Sequence, residues 1–135
     1  MNSKQKGDIA EAFVIAKCLE KCWIVLKPFG DNLPYDIVVD RGFGFEKVQI
    51  KSSTYHNGSI QVYLLRVRSN TKKEISKKYR KEDFDLLGVY SPETKKVLLV
   101  PFSKIEGKIQ TNFRVEKPKN NQSSGVVFSE SFEIK

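Results

Sequence analysis

The chain has little from which to build a site of sulfur or imidazole: two cysteines, one histidine and one methionine among 135 residues. Cys18 and Cys22 stand four apart, a spacing that shares one face of a helix, and no second pair exists to complete a zinc site. The single histidine, His56, falls in the turn-like run Tyr55-His56-Asn57-Gly58. Sites built on several histidines are thereby excluded. No apolar run is long enough to cross a bilayer, because lysines interrupt each one, and no secretory signal is expected. A reducing, cytoplasmic setting is expected. Any catalysis must draw on carboxylates, lysines or a metal held by oxygen.

Acidic residues are also in the minority. Sixteen Asp and Glu face 24 Lys and Arg, a net charge of +8 with a pI near 9.5. That balance suits a polyanionic partner, nucleic acid first; a solvated basic surface gives the same composition. With 39% hydrophobic residues, residues 1–135 are expected to form one domain with a core and a cleft.

From Lys4 to Lys21 apolar residues recur at helical spacing, with Ala12, Ile15, Ala16 and Leu19 as one i, i+3, i+4, i+7 set, so the first element is a helix. Trp23 to Phe29 reads as a strand closed by Pro28 and a polar turn. Tyr35 to Asp40 and Phe45 to Lys51 are strand-like and flank Arg41-Gly42-Phe43-Gly44. Those glycines suit a tight antiparallel hairpin. Ser59 to Val67 predicts a further strand, and the second half of the basic stretch Arg68 to Lys81 predicts a helix. Phe84 to Tyr90 and Lys96 to Val100 predict another hairpin, Lys104 to Gly107 a helical turn or loop, and Ile109 to Val115 and Val126 to Phe132 late strands around a mobile polar segment, Lys117 to Gly125. The order predicts a mixed α/β fold with a mainly antiparallel central β-sheet flanked by helices.

Two observations carry chemistry. Glu11 lies one helical turn from Val14 and Ile15 and two from Cys18, inside an apolar stripe, where an ionised carboxylate calls for a cation, a metal or a raised pKa; an acid placed there for the helix dipole is the alternative. In the hairpin, pairing Arg41 with Gly44 and counting outward sets Asp36 opposite Gln49, and period-two alternation puts Asp36, Gln49 and Lys51 on one face. With the carbonyl of Ile50 between them, these groups offer hard oxygen ligands to a magnesium ion. Lys51 beside them can orient a water or neutralise charge on a phosphate. An ordinary Asp36–Lys51 pair on a solvated sheet has the same spacing.

Glu11, then Pro34-Tyr35-Asp36, then Gln49-Ile50-Lys51 followed by Ser52-Ser53-Thr54, resembles the PD-(D/E)XK nuclease superfamily. The chain most resembles its group I intron-encoded homing endonucleases, and next the archaeal Holliday junction resolvases. The run Tyr79 … Asp83-Phe84-Asp85 … Val89-Tyr90-Ser91-Pro92 … Val100-Pro101 extends the resemblance to the intron group over most of the chain. It implies a restriction-endonuclease-like core and magnesium-dependent hydrolysis of double-stranded DNA, with manganese able to substitute. It further implies that Asp36 is the central metal ligand, that Glu11 helps hold the metal directly or through water, and that Lys51 serves the attacking water. Gln49 departs from the usual acid: its carbonyl coordinates but brings no negative charge, so a catalytically silent DNA-binding module stays open, as does a junction-resolving nuclease. Glu46, the nearest other acid, points to the opposite face of its strand.

The backbone of DNA needs basic residues. Lys72, Lys73, Lys77, Lys78, Arg80 and Lys81 are the candidates, with Tyr79 for hydrogen bonding or packing, and Arg66 and Arg68 on one side of the preceding strand. Paired cuts imply a homodimer or larger assembly.

Overall fold

The computed structural model describes residues 1–69, 74–117 and 125–135, the segments 67–69 and 74–76 by their backbone. Helix α1 (Ser3–Glu20) opens the fold, followed by β1 (Ile24–Leu26), β2 (Ile37–Asp40), β3 (Phe45–Ser52), β4 (Thr54–His56), β5 (Ser59–Tyr63), β6 (Leu65–Ser69), β7 (Glu74–Lys78), β8 (Leu86–Ser91), β9 (Lys96–Pro101) and β10 (Gln110–Arg114). A capping box starts α1: the Asn2 side chain accepts from the Gln5 N–H and the Gln5 side chain from the Asn2 N–H, both at 2.9 Å, which satisfies two donors the helix itself leaves open.

The central sheet has the order β1-β2-β3-β8-β9, antiparallel throughout except that β3 and β8 run parallel. The β2–β3 hairpin has the register expected from its turn, Ile37 opposite Val48 and Asp40 opposite Phe45. Gly42 and Gly44 take φ of 107° and 127°, conformations that cost glycine little. A parallel β3–β8 pair requires a crossover. Here β4 to β7 make it, and β5 carries β4 and β10 as a second sheet of order β10-β5-β4.

Three layers result. One face of the central sheet buries Ile37, Val39, Val48 and Ile50 against Ala10, Val14 and Cys18 of α1. The other buries Leu87, Val89, Leu98 and Val100 against Ile60, Val62 and Phe113 of the second sheet. Strand β8, buried along its whole length, is covered on both faces and is correspondingly apolar. Its Gly88 lets α1 lie close: a Cβ there would come within 3.1 Å of Val48, 3.3 Å of Ile50 and 3.4 Å of Val14.

Several expectations change. The fold has one α-helix among the described residues, so the central sheet is flanked by one helix and one sheet rather than by helices. On α1 the buried stripe is Ala10, Val14 and Cys18, while Ala12, Ala16 and Leu19 are exposed; alanines sit acceptably on either face and made the spacing ambiguous. The second half of the basic stretch is not a helix but β7, paired with β6 so that Arg66 faces Lys77 and Leu65 faces Lys78. Cross-strand pairing overrides the helix preference of Lys and Glu there. The strand expected over Ser59 to Val67 breaks at Leu64 into β5 and β6. Val126 to Phe132 forms no strand: isolated bridges, Arg114 to Phe128 and Leu98 to Glu133, flank a 3-10 turn at Ser129–Ser131. Of the polar segment Lys117 to Gly125, residues 118–124 lie outside the described residues. No helix is long and apolar enough to cross a membrane.

Candidate active site

The β2–β3 ladder ends at Ile37–Val48, and the next step on each strand carries Asp36 and Gln49. There the backbone pairing gives way. The Asp36 N–H still donates to Val48 O at 2.8 Å, but the Ile50 N–H donates to Asp36 Oδ2, also at 2.8 Å. That bond fixes the carboxylate beside the strand and holds the space between strands open. Asp36, Gln49 and Lys51 thus line one cavity of about 760 Å³, within the usual range for ligand sites. The loop Asp31 to Pro34 lines it too, as do Leu65, Arg66 and Tyr79.

Glu11 is not part of that wall. It approaches from α1, its side chain 26% exposed and paired with Lys27, close enough that its charge acts on Asp36. This half-buried carboxylate has a cationic partner that sequence spacing did not reveal. Glu46 is ion-paired to Arg41 at 2.8 Å, on the strand's other alternation from Gln49, and so lies apart from the cavity as expected.

Burial dominates the electrostatics. It pushes the Asp36 carboxyl above the ordinary carboxylate range, against the Ile50 N–H bond and with help from Glu11, while Lys51 and Lys27 pull it back. The same burial lowers the Lys51 ammonium below the ordinary lysine range, opposed by Asp36. Lys51 Nζ lies 5.3 Å from the centre of the Tyr79 ring, within the reach of a cation–π contact. Tyr79 itself is pushed up to about 12, by burial first and by Asp36 next. It therefore stays a neutral phenol at physiological pH.

The donor set fits a hard divalent ion. Asp36 and Glu11 supply carboxylates, Gln49 an amide oxygen and Ile50 a carbonyl, all oxygens of the kind magnesium and manganese take. Gln49 Nε2 donates to Ile50 O at 3.2 Å, so Oε1 is turned from that carbonyl here, and the amide would have to turn over for both oxygens to face one ion. No group of three or more His, Cys, Asp or Glu side chains gathers among the described residues. A metal held here would therefore depend on the neutral donors as well as the two acids.

The basic candidates separate. Arg66 lines the cavity. Lys77, Lys78, Arg80 and Lys81 are exposed, but Arg80 is engaged by Glu82 at 3.3 Å and Asp83 at 3.7 Å. Tyr79, one residue past the end of β7, is 8% exposed and lines the cavity. Arg68 stands in β6 by its backbone, and Lys72 and Lys73 lie outside the described residues. Sequence reasoning missed Lys27 and the loop Asp31 to Leu33. Lys27 follows β1 by one residue, and only the pairing of β1 with β2 signals that it reaches this site.

No curated protein matches the chain. Among solved structures, a bacterial homing endonuclease, I-Ssp6803I, is similar at 32% identity with a TM-score of 0.79, over 98% of this chain and 89% of that one. The family model described as PD-(D/E)XK endonuclease matches residues 1–135. With that match over its whole length, and with Asp36, Gln49 and Lys51 side by side where two strands part, the chain belongs to the PD-(D/E)XK endonuclease family.

Proposed function

We propose that the protein is a magnesium-dependent, site-specific homing endonuclease that hydrolyses phosphodiester bonds of double-stranded DNA. The observation that carries this reading is the convergence of Asp36, Gln49 and Lys51 on one cavity walled by Arg66 and Tyr79. Asp36, Gln49, the Ile50 carbonyl and Glu11 would hold the ion, which supplies charge neutralisation and a nucleophile at neutral pH. Manganese meets the same oxygen donors.

The chain's own groups do the rest. Lys51, its ammonium lowered by burial, gives up a proton more readily than a free lysine and sits where it can orient the attacking water. Its lateral position is held by the Tyr79 ring. Arg66 presents a guanidinium to the phosphate at the cavity mouth, and the exposed Lys77 and Lys78 extend the contact along the backbone. Lys27, paired with Glu11, balances that acid's charge.

Paired cuts call for paired subunits, and a homodimer or larger assembly is part of this reading. Exposed Ile24, Phe43 and Phe45, at 60%, 71% and 70%, provide apolar contact area on the β1–β3 end of the sheet. The unpaired cysteines, Cys18 buried and Cys22 exposed, fit a reducing cytoplasm. Residues 1–135 act as a single domain.

The test is incubation of supercoiled plasmid bearing candidate sites, and of a synthetic four-way junction, with and without magnesium. Magnesium-dependent cutting at a discrete site in the duplex is the expected result. Preferential cutting of the junction would replace the homing reading with a resolvase, and binding without cutting of any duplex would leave a silent module.

A further inference from the structure

The cavity explains cutting but offers little with which to choose a sequence. Phosphate contacts fix register and carry no base information; discrimination needs hydrogen-bonding side chains at base edges, among which Asn and Gln read adenine. The second sheet has such a surface. Strands β5 and β10 pair antiparallel with Gln61 opposite Asn112 and Tyr63 opposite Gln110. Their inward residues Ile60, Val62 and Phe113 are in the core, so period-two alternation turns Gln61, Tyr63, Gln110 and Asn112 outward. Tyr63 is 68% exposed, and Gln110 Nε2 lies 3.4 Å from Asn112 Oδ1, which brings two amides to neighbouring positions.

The composition of this sheet differs from the rest of the chain. No Asp or Glu occurs in β4, β5 or β10, and Arg114 is their one charged residue, in a chain that is 30% charged. Arg114 is itself occupied, donating to Asn57 O at 2.8 Å and Glu116 O at 3.1 Å. Along the β10 edge runs a concavity of about 680 Å³, whose described lining includes Lys78, Lys108, Gln110 and Asn112 and no acid. One strand pair links this concavity to the cleavage cavity. Two residues beyond Tyr63 comes Leu65, a wall of that cavity, and Leu65 pairs with Lys78.

Proteins also read DNA with the strands of a β-sheet laid in a groove, and in the major groove Asn and Gln make bidentate contacts to adenine. We infer that the outward face of the β5–β10 ladder, through Gln61, Gln110 and Asn112, reads base edges in the major groove of the duplex being cut, while Lys78 and Lys108 hold phosphates at its rim. This rests on the reading of the protein as a site-specific nuclease of duplex DNA. Specificity and cleavage then reside on separate layers joined at Leu65.

The test is selection of bound duplexes from a randomised library by the full-length protein in EDTA, followed by sequencing. Wild type should enrich a defined sequence. The Gln110→Ala/Asn112→Ala double variant should lose roughly 5- to 150-fold of the preference at one or two positions within it, with an unchanged thermal melt. Asn112→Gln, which keeps the amide, should retain part of that preference. Lys78→Ala/Lys108→Ala should keep the sequence but weaken all binding, lowering the slope of log affinity against log salt by about 2. An enriched sequence identical in the amide double variant would overturn this inference alone. No enriched sequence in wild type would overturn it together with the site-specific reading.

Discussion

Asp36 sits under opposing demands. Its carboxylate is useful ionised, yet burial holds its pKa above the ordinary 3.8, so the folded state retains the proton longer than the unfolded chain does. Stability therefore declines as pH rises from about 3.8 through the raised folded value, and at neutral pH the ionised acid is a net cost to the metal-free fold. Asp36→Asn keeps an oxygen for the Ile50 N–H. It should raise the metal-free Tm at pH 7 by the equivalent of about 0.5–2 kcal/mol while eliminating cleavage, and a lower Tm in a thermal scan would contradict the assignment. Gln49 poses the converse case. Gln49→Glu adds a charged ligand, so manganese should bind more tightly by calorimetry with cleavage retained; weaker binding would show that the neutral amide is needed where it lies against the Ile50 carbonyl.

Among the elements, α1 positions Glu11 only because Gly88 leaves room for Val14 above β8. Gly88→Val would push the helix off the sheet at the contacts with Val48 and Ile50. A destabilisation of about 1–3 kcal/mol is expected from overpacking, measured by urea denaturation, together with weaker metal binding; an unchanged midpoint would mean the helix is not held here. The hairpin that sets Asp36, Gln49 and Lys51 was legible in the sequence, since Gly42 and Gly44 fix a short turn and a short turn fixes the register. Other elements were not. The β7 segment reads as a helix because Lys and Glu favour one, and its actual state depends on pairing with β6. Lys27 and Tyr79 reach the site through contacts far apart in sequence, one across β1–β2 and the other from the β6–β7 hairpin, and no local pattern announces such contacts.

For the whole molecule, the charge of +8 makes DNA binding strongly dependent on salt. Charge reversal by Lys77→Glu and Lys78→Glu should weaken binding to any duplex and flatten that dependence; unchanged affinity in a salt titration would place the DNA surface elsewhere. In the proposed reading these long-range contacts are separate from the chemistry, with phosphate grip from Lys77 and Lys78 and cleavage at Asp36, Gln49 and Lys51. Lys51→Ala tests that separation most directly, by measuring plasmid cleavage in magnesium and duplex affinity in EDTA on the same preparation. Cleavage should fall by about 10²–10³-fold or more while affinity stays within about threefold of wild type. Cleavage at the wild-type rate would remove Lys51, and with it the proposed centre, from the reaction.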